Sequence, residues 1–340
     1  MEQQRDTHAM KAAFIEQTGD PDVIKIGELS EDKPARKQVR IRVRAVSVNP
    51  IDTYIRSGAV AADLPNRYIP GCDAAGIIES VGEEVENFKA GDRVWCTNQG
   101  LQGRQGTSAE LICVDEDWCY LLPEQISYEA AAACALVGVT AHLGLFREAR
   151  LQAGETVLCI GGTGGVGSMV VQMAKAQGAR VLATAGSEAK CQQLLALGAD
   201  VAINYRQDCI QKAVLDATSK GVDVFWETRR EPDFDEAVEL LKPRGRMVLM
   251  AGRDARPVFP VGPFYVKECS LHGFVMFKAT ALEIRTAAEE IVRWLSAGKL
   301  KPNIAMTLPL NEIAEAHRQQ EAATLHGQNN LNGKIILTID

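Results

Sequence analysis

Val39, Ile41, Val43 and Ala45 alternate with Arg40, Arg42 and Arg44. Period two with one charged face predicts an antiparallel strand over Gln38–Ala45 with one side in water. Shorter apolar runs predict strands at Ala13–Gln17, Ile24–Leu29, Ala75–Val81, Asp92–Cys96 and Ala109–Val114. Gly19-Asp20-Pro21, Pro70-Gly71 and Gly91-Asp92 punctuate them as turns. Many short strands with regular turns predict a barrel-like domain, from Lys11 to about Pro123.

The period changes from Ser127, which caps an alanine-rich helical run with Glu129 in its first turn. Strand and helix then alternate. Strands are expected at Thr156–Ile160, Arg180–Ala185, Val201–Asn204, Asp223–Trp226, Arg246–Ala251 and Ser270–Met276. Helices are expected at Ser187–Leu197, Asp208–Thr218 and Phe234–Leu241. This is the pattern of a parallel, doubly wound sheet. In the tail, Thr280 and Glu283 form a capping box for a helix with Ile284, Ala287, Ala288, Ile291 and Leu295 on one face. Asn311 is read as the cap of another short helix, and Lys334–Thr338 as a last strand. The tail is too small to stand alone, so it is expected to pack back on the first domain.

Between the strand Thr156–Ile160 and the helical run from Val166 lie Gly161, Gly162, Gly164, Gly165 and Gly167, and Gly178 is placed to end the helix. Gly162, Gly164 and Gly167 satisfy G-x-G-x-x-G. Strand, glycine turn, helix is a phosphate-binding arrangement: glycines admit a pyrophosphate to the backbone, and the helix N-terminus offers free N–H groups. The candidate cofactor contacts here are Gly162, Thr163, Gly164, Gly165, Val166 and Gly167. In an NAD-binding unit an acid stands about 20 residues further on, to hold the ribose 2′-hydroxyl. That place holds Ser187. Glu188 reads better as the first-turn acid of a helix capped by Ser187, and Lys190 can reach a 2′-phosphate as a point charge.

Composition narrows the partners. With 340 residues, 46% hydrophobic and 24% charged, the chain suits about two globular domains. A net charge of −7 disfavours nucleic acid or an anionic membrane as main partner. Nine cysteines without a C-x-x-C pair read as free thiols in a reducing cytoplasm. The uncharged run Ala130–Phe146 falls short of a spanning helix, and no secretory core opens the chain.

Five segments carry a resemblance: VNPIDTYIRSG (48–58), PGCDAAGIIESVGEEVENFKAGDRV (70–94), LVGVTAHLGL (136–145), the glycine turn, and GADVAINYR (198–206). The chain resembles the medium-chain dehydrogenase/reductase superfamily, and within it the zinc-independent quinone oxidoreductases of the ζ-crystallin type. The resemblance implies an α/β architecture: a GroES-like β-barrel catalytic domain (1–134 and 277–340) interrupted by a Rossmann NADPH-binding domain (135–276). It implies that Lys190 and Tyr205 flank the 2′-phosphate beside Ser187, which makes NADPH the expected cofactor. It further implies that Asn49 and Thr140 lie beside the nicotinamide and ribose. Gly252, in the turn Ala251-Gly252-Arg253, and the strand end near Phe274 would approach with backbone groups, and Asn332 would close from the tail.

Zinc-dependent relatives need a cysteine near position 49, Gly-His-Glu at Gly71 and a four-cysteine lobe. This chain has Asn49 and Gly71-Cys72-Asp73 and no such lobe. A catalytic zinc takes three protein ligands, and the histidines at 8, 142, 272, 317 and 326 have no ligand spacing. Without a Lewis acid, reduction of an electron-poor acceptor is expected rather than alcohol oxidation. Tyr54 is the candidate acceptor contact and, with Asn49, the catalytic candidate; Asp52 and Arg56 read as structural. The ζ-crystallin type carries an aromatic shortly after Gly58, where this chain has Ala59-Val60-Ala61-Ala62. The leading expectation is an NADPH-dependent quinone oxidoreductase. An enone or 2-alkenal reductase and a non-catalytic NADPH-binding protein are the alternatives. The family also implies a homodimer through the outer strand of the Rossmann sheet. Arg229 and Arg230, in the charged stretch Trp226–Glu231, read as a solvated loop.

Overall fold

A computed structural model describes residues 9–325, 327–328 and 331–339. His8 and His326 lie outside the described residues. In chain order the elements begin with β1 (Ala9–Phe14), β2 (Lys25–Ser30), β3 (Gln38–Val48), α1 (Pro50–Ser57), β4 (Asp73–Val81), β5 (Arg93–Cys96), β6 (Leu111–Asp115) and β7 (Cys119–Leu121). Then come α2 (Tyr128–His142), β8 (Thr156–Cys159), α3 (Gly165–Ala176), β9 (Arg180–Ala185), α4 (Glu188–Ala196), β10 (Val201–Asn204) and α5 (Ile210–Thr218). They continue with β11 (Val222–Glu227), α6 (Phe234–Leu240), β12 (Leu241–Leu249), α7 (Val261–Val266) and β13 (Ser270–Gly273). The tail holds α8 (Ala281–Ser296), β14 (Ile304–Pro309), α9 (Ile313–Thr324) and β15 (Lys334–Thr338).

Two compact units result. The first comprises residues 1–136, 280–296 and 301–340; the second comprises 137–279 and 297–300. The first unit is built on β3, which pairs antiparallel with β4, β6 and β15. The sheet order is β14-β15-β3-β4-β5-β7, so a strand from the tail lies directly beside β3. Val39, Ile41 and Val43 are buried, while Arg40 and Arg42 both pair with Glu79 on β4. Burial drives the alternation, and the cross-strand ion pairs occupy the wet face. β3 runs past the expected Ala45 to Val48 because Val46, Ser47 and Val48 are all buried. With both faces covered, period two disappears from the sequence. Neither β7 nor β14 is signalled by the hydrophobic pattern, and β1 lies earlier than Ala13–Gln17. Asn311 sits within a 3-10 turn, Leu310–Glu312, and the helix after it starts at Ile313, so Asn311 is not its cap.

The second unit has one six-stranded parallel sheet of order β10-β9-β8-β11-β12-β13. The chain leaves β8 in one direction through β9 and β10, then returns to place β11, β12 and β13 on the other side. That reversal creates a crevice at the carboxyl ends of β8 and β11, the usual ligand position in such sheets. The uncharged run expected to fall short of a span lies within a longer helix, Tyr128–Glu148, including a π-helical turn at Leu143–Glu148, which by length and composition alone is long and apolar enough to cross a membrane. Some 83% of its apolar window is buried within the protein, as expected of a core helix.

Candidate dinucleotide cradle and a buried polar row

In the second unit, all four residues of β8 are buried, so the strand delivers its glycine turn rigidly. Gly161 has φ +73°, donates to Thr184 Oγ1 at 3.0 Å, and is closed from above by Thr228, whose hydroxyl donates to Ile160 O at 2.6 Å. Thr184 and Thr228 were not singled out from the sequence; both are polar residues at strand ends beside the turn. A Cβ on Gly162 would meet Leu194 Cδ2 at 2.8 Å and Ala183 Cβ at 2.9 Å; one on Gly167 would stand 2.2 Å from Gly161 O. These two glycines are demanded by packing of the turn against β9, α4 and α3. Gly164 is different: a Cβ there would meet only Gly161 O, at 3.5 Å. The protein tolerates a side chain at Gly164, so its absence leaves room for something else. The N–H groups of Gly165, Val166 and Gly167 open α3 and have no acceptor within it. Thr163 is buried in the turn ahead of them.

At the end of β9, Ser187 caps α4 by accepting the Lys190 N–H at 3.3 Å. Glu188 Oε1 accepts from Gln192 at 3.0 Å, an i,i+4 pair on α4 that matches its helical reading. Tyr205 donates its N–H to Ala185 O at 3.1 Å, and its hydroxyl lies over Gly186, 2.5 Å from where a Cβ would be. Ser187 and Tyr205 thus lie beside Gly186, with Lys190 in the first turn of α4. Beyond β11, Gly252 has φ +79°, and a Cβ there would lie 2.9 Å from Arg230 O, so the loops after β11 and β12 touch. Phe274 follows β13 with its ring edge-on to Trp226, centroids 6.5 Å apart. Thr140 is buried within α2. The charged stretch after Trp226 is not simply solvated. Glu227 is wholly buried and holds Arg229 through both oxygens at 2.7–3.0 Å, and Arg229 also reaches Glu236 at 2.9 Å. Arg230 and Glu231, at the far end of the stretch, are exposed.

In the first unit, strand register assembles a polar row. Ser47 faces Asp73 across β3 and β4. Ala74 faces Cys96, which puts Thr97 beside Asp73 at the end of β5. Val48 faces Ile335, which puts Asn49 opposite Lys334 at the start of β15. All five polar side chains are buried. Asp73 accepts from Thr97 Oγ1 at 2.7 Å, Ser47 Oγ at 2.9 Å and Asn49 Nδ2 at 2.9 Å. Lys334 donates to Val48 O at 2.8 Å and to Asn49 Oδ1. Asp52, on α1, accepts the Asn49 backbone N–H at 2.7 Å and the Cys72 thiol at 2.9 Å. Burial raises the Asp52 carboxyl to about 7, Asp73 adding to it and the Cys72 and Asn49 donors opposing. Burial also pushes the Cys72 thiol well up and the Lys334 ammonium down, Asp73 and Asp52 opposing the latter.

This set does not fit zinc. Asn49 and Cys72 act as donors, and a lysine ammonium already lies among the two carboxyl groups. Among the described residues, no group of three or more His, Cys, Asp or Glu is placed to hold a metal. Lys334, Ser47 and Thr97 escaped the sequence reading. Polar residues ending buried strands were a visible sign for Ser47 and Thr97, but nothing local marks Lys334. Tyr54 sits on α1, half-buried, and Asn332 precedes Gly333, whose φ is +130°.

One neighbour of α1 titrates in the opposite sense to Asp52. Burial and the nearby Arg56 lower His317, on α9, from 6.5 to about 3. A buried neutral histidine contributes stability that is whole above pH 6.5 and is lost as pH falls toward 3, at about 1.4 kcal/mol per unit. Asp52 binds its proton more tightly folded than unfolded, so it adds stability as pH falls from 7 toward 3.8. The two slopes oppose each other between pH 6.5 and 5. His317→Gln should therefore gain about 1.4 kcal/mol per unit of acidification there relative to wild type. Urea melts at pH 6.5 and 5 measure it, and parallel pH dependences for the two proteins would refute the buried neutral state.

Residues 35–124 match the family described as alcohol dehydrogenase GroES-like domain, and residues 165–296 match zinc-binding dehydrogenase. The chain is 36% identical over 335 residues to quinone oxidoreductase of Mus musculus, covering 97% of this chain and 98% of that protein. It is similar to the crystal structure of Escherichia coli quinone oxidoreductase complexed with NADPH, at TM-score 0.82 and 28% identity, covering 97% and 100%. It is also similar to a structure described as NAD-dependent alcohol dehydrogenase, at TM-score 0.88 and 29% identity, with the same coverage.

Proposed function

The chain belongs to the medium-chain dehydrogenase/reductase superfamily, among its quinone oxidoreductases, and from that premise we propose that it moves a hydride from NADPH to a quinone-like acceptor without zinc. It is an oxidoreductase. The observation that supports the cofactor choice is Ser187 and the Tyr205 hydroxyl beside Gly186, with Lys190 in the first turn of α4 and Glu188 turned into its own helix. A lysine, a hydroxyl and a phenol suit a 2′-phosphate; an NAD site would place a carboxylate against the 2′-hydroxyl. The N–H groups opening α3 bind the pyrophosphate, and Gly164 admits it. Gly252 and Phe274, on the far side of β11, serve the nicotinamide half, as do Thr140, Asn49 and Asn332. When bound, NADPH supplies the hydride, and the reduced acceptor draws its proton from solvent. Tyr54 meets the acceptor, its phenol donating to the oxygen on which charge develops. Zinc independence is supported by the donor set at Asn49, Cys72 and Asp73, which the name zinc-binding dehydrogenase does not describe.

The absence of an aromatic in Ala59–Ala62 widens the acceptor side, and this favours an enone or 2-alkenal reductase as the second reading. Steady-state NADPH oxidation with 1,4-benzoquinone, naphthoquinone and crotonaldehyde separates the two, and binding without turnover of any would leave a non-catalytic NADPH-binding protein. In the same assay Lys190→Ala should weaken NADPH about tenfold, ~1.4 kcal/mol, and leave NADH nearly unchanged. Wild-type protein that prefers NADH would end the NADPH assignment.

A homodimer is part of this proposal. Among the described residues β13 ends its sheet; Val275 just after it is exposed, as are Val258, Val261, Tyr265 and Val266 in the segment that leads to it. An unpaired strand beside exposed apolar side chains suits pairing with a second copy. A solution mass near the 36.9 kDa of one chain would sink it. The free cysteines, eight of nine at least partly buried, suit a reducing cytoplasm.

A further inference from the structure

We propose that Thr184 and Thr228 are positioning residues for the dinucleotide. Their hydroxyls clamp the peptide unit between Ile160 and Gly161 and hold the glycine turn in its phosphate-receiving form before the cofactor arrives. The inference rests on the NADPH reading above. The carbonyl of Ile160 and the N–H of Gly161 are the two ends of one planar group. Thr228, just after β11, donates its hydroxyl to that carbonyl at 2.6 Å. Thr184, on β9, accepts that N–H on its hydroxyl oxygen at 3.0 Å. β9 and β11 flank β8 on opposite sides, so one rigid plane is held from both. Any swing of the plane weakens the two bonds together.

The plane needs holding because Gly161 cannot hold itself. Glycine adopts positive and negative φ with similar ease, and Gly161 stands at φ +73°. A side chain that would stiffen it is barred, since a Cβ there would lie 2.5 Å from Thr228 Oγ1. Both clamps are themselves fixed. Thr184 is wholly buried, and its backbone oxygen takes the next N–H of the turn, from Gly162, at 3.0 Å. Thr228 stands between Glu227 and Arg229, which are tied to each other by the Arg229 N–H at 2.8 Å and by their side chains. The start of α3 in turn rests on Gly161, whose oxygen accepts the Gly164 N–H at 3.2 Å. Displacing Gly161 therefore displaces the N–H groups assigned to the pyrophosphate. A turn held ready binds without first having to be ordered.

Thr184→Ala and Thr228→Ala each free one end of the plane, and each should weaken NADPH about tenfold in a fluorescence titration. Because both hydroxyls hold one group, the double variant should bind about as weakly as the weaker single, short of the roughly 100-fold loss of independent sites. Thr228→Ser keeps the hydroxyl and should bind within about twofold of wild type. Exchange of the Gly161 amide hydrogen, followed by NMR in the ligand-free protein, should quicken in both alanine variants. Melting temperatures separate the fold from the site. Alanine variants that melt lower yet bind NADPH like wild type would show threonines that only stabilise the sheet, and would overturn the proposal. So would additive losses in the double variant, or a Gly161 amide that exchanges at the wild-type rate. Thr228 is only half-buried. Its alanine variant should therefore fold even if Thr184→Ala does not, and its affinity and exchange alone then decide. Wild-type protein that binds no NADPH would refute the cofactor reading, and Gly161 exchange in Thr228→Ala would still decide the clamp.

Discussion

Alanine at position 167 is expected to abolish dinucleotide binding. The added Cβ would lie 2.2 Å from Gly161 O and 2.9 Å from Gly162 Cα, both backbone atoms of the glycine turn. No flexible side chain stands there to give way, so α3 must move off the turn and its N–H groups with it. NADPH affinity should fall by more than about 100-fold, ~2.7 kcal/mol, and the melting temperature should fall with it. The control is Gly164→Ala, where the nearest heavy atom is 3.5 Å away. Its fold should be intact, since the methyl presses on nothing and replacing glycine at this N-cap costs only about 1 kcal/mol, yet NADPH should still bind more weakly as the methyl meets the pyrophosphate. Fluorescence titration and thermal melts read both variants. Gly167→Ala protein that melts higher than wild type, as helix propensity alone predicts, would refute the steric account.

The second large effect concerns stability rather than binding. Arg56, on α1, is fully buried; it donates to Gly19 O and pairs with Glu321 on α9. One guanidinium thereby ties the first turn of the chain to the tail that returns after the second unit. Burial lowers Arg56, and Glu321 and Asp20 oppose that shift, so the cation depends on its partners. Arg56→Met leaves Glu321 nearly buried without a counter-charge. The cost of breaking such a pair is about 3–5 kcal/mol, on the order of 10 °C in melting temperature for a unit of this size. Arg56→Met/Glu321→Gln should recover most of that loss, because no lone charge remains. A single variant that melts like wild type would show the pair to be dispensable.

The reading of Arg56 as structural rested on its alternation with Tyr54 and Asp52, and its partner Glu321 was not visible from there. Asp52 and Cys72 show the same gap. Asp52 was read as structural and Cys72 as part of a set unlike a zinc site, but their hydrogen bond to each other depends on α1 and β4 meeting. Glu227 and Arg229 show the opposite error. A run of charges looks solvated in sequence, yet one end of it finishes a buried parallel strand, and the arginine folds back to neutralise that end.

The chain by itself determined the alternating strands of the first unit, the β-α succession of the second, and the glycine turn with Ser187, Lys190 and Tyr205 in step behind it. These are local properties: side-chain period, turn chemistry and spacing along one βαβ path. Tertiary structure alone decided that β15 returns from the tail to lie beside β3. Register then brings Lys334 to Asn49, 285 positions away in the chain. Strand pairing over that distance is set by which faces bury together, not by any local pattern, so no inspection of neighbouring residues shows it. The glycine cradle is legible because its atoms are sequence neighbours, while the buried polar row exists only once the sheet has closed.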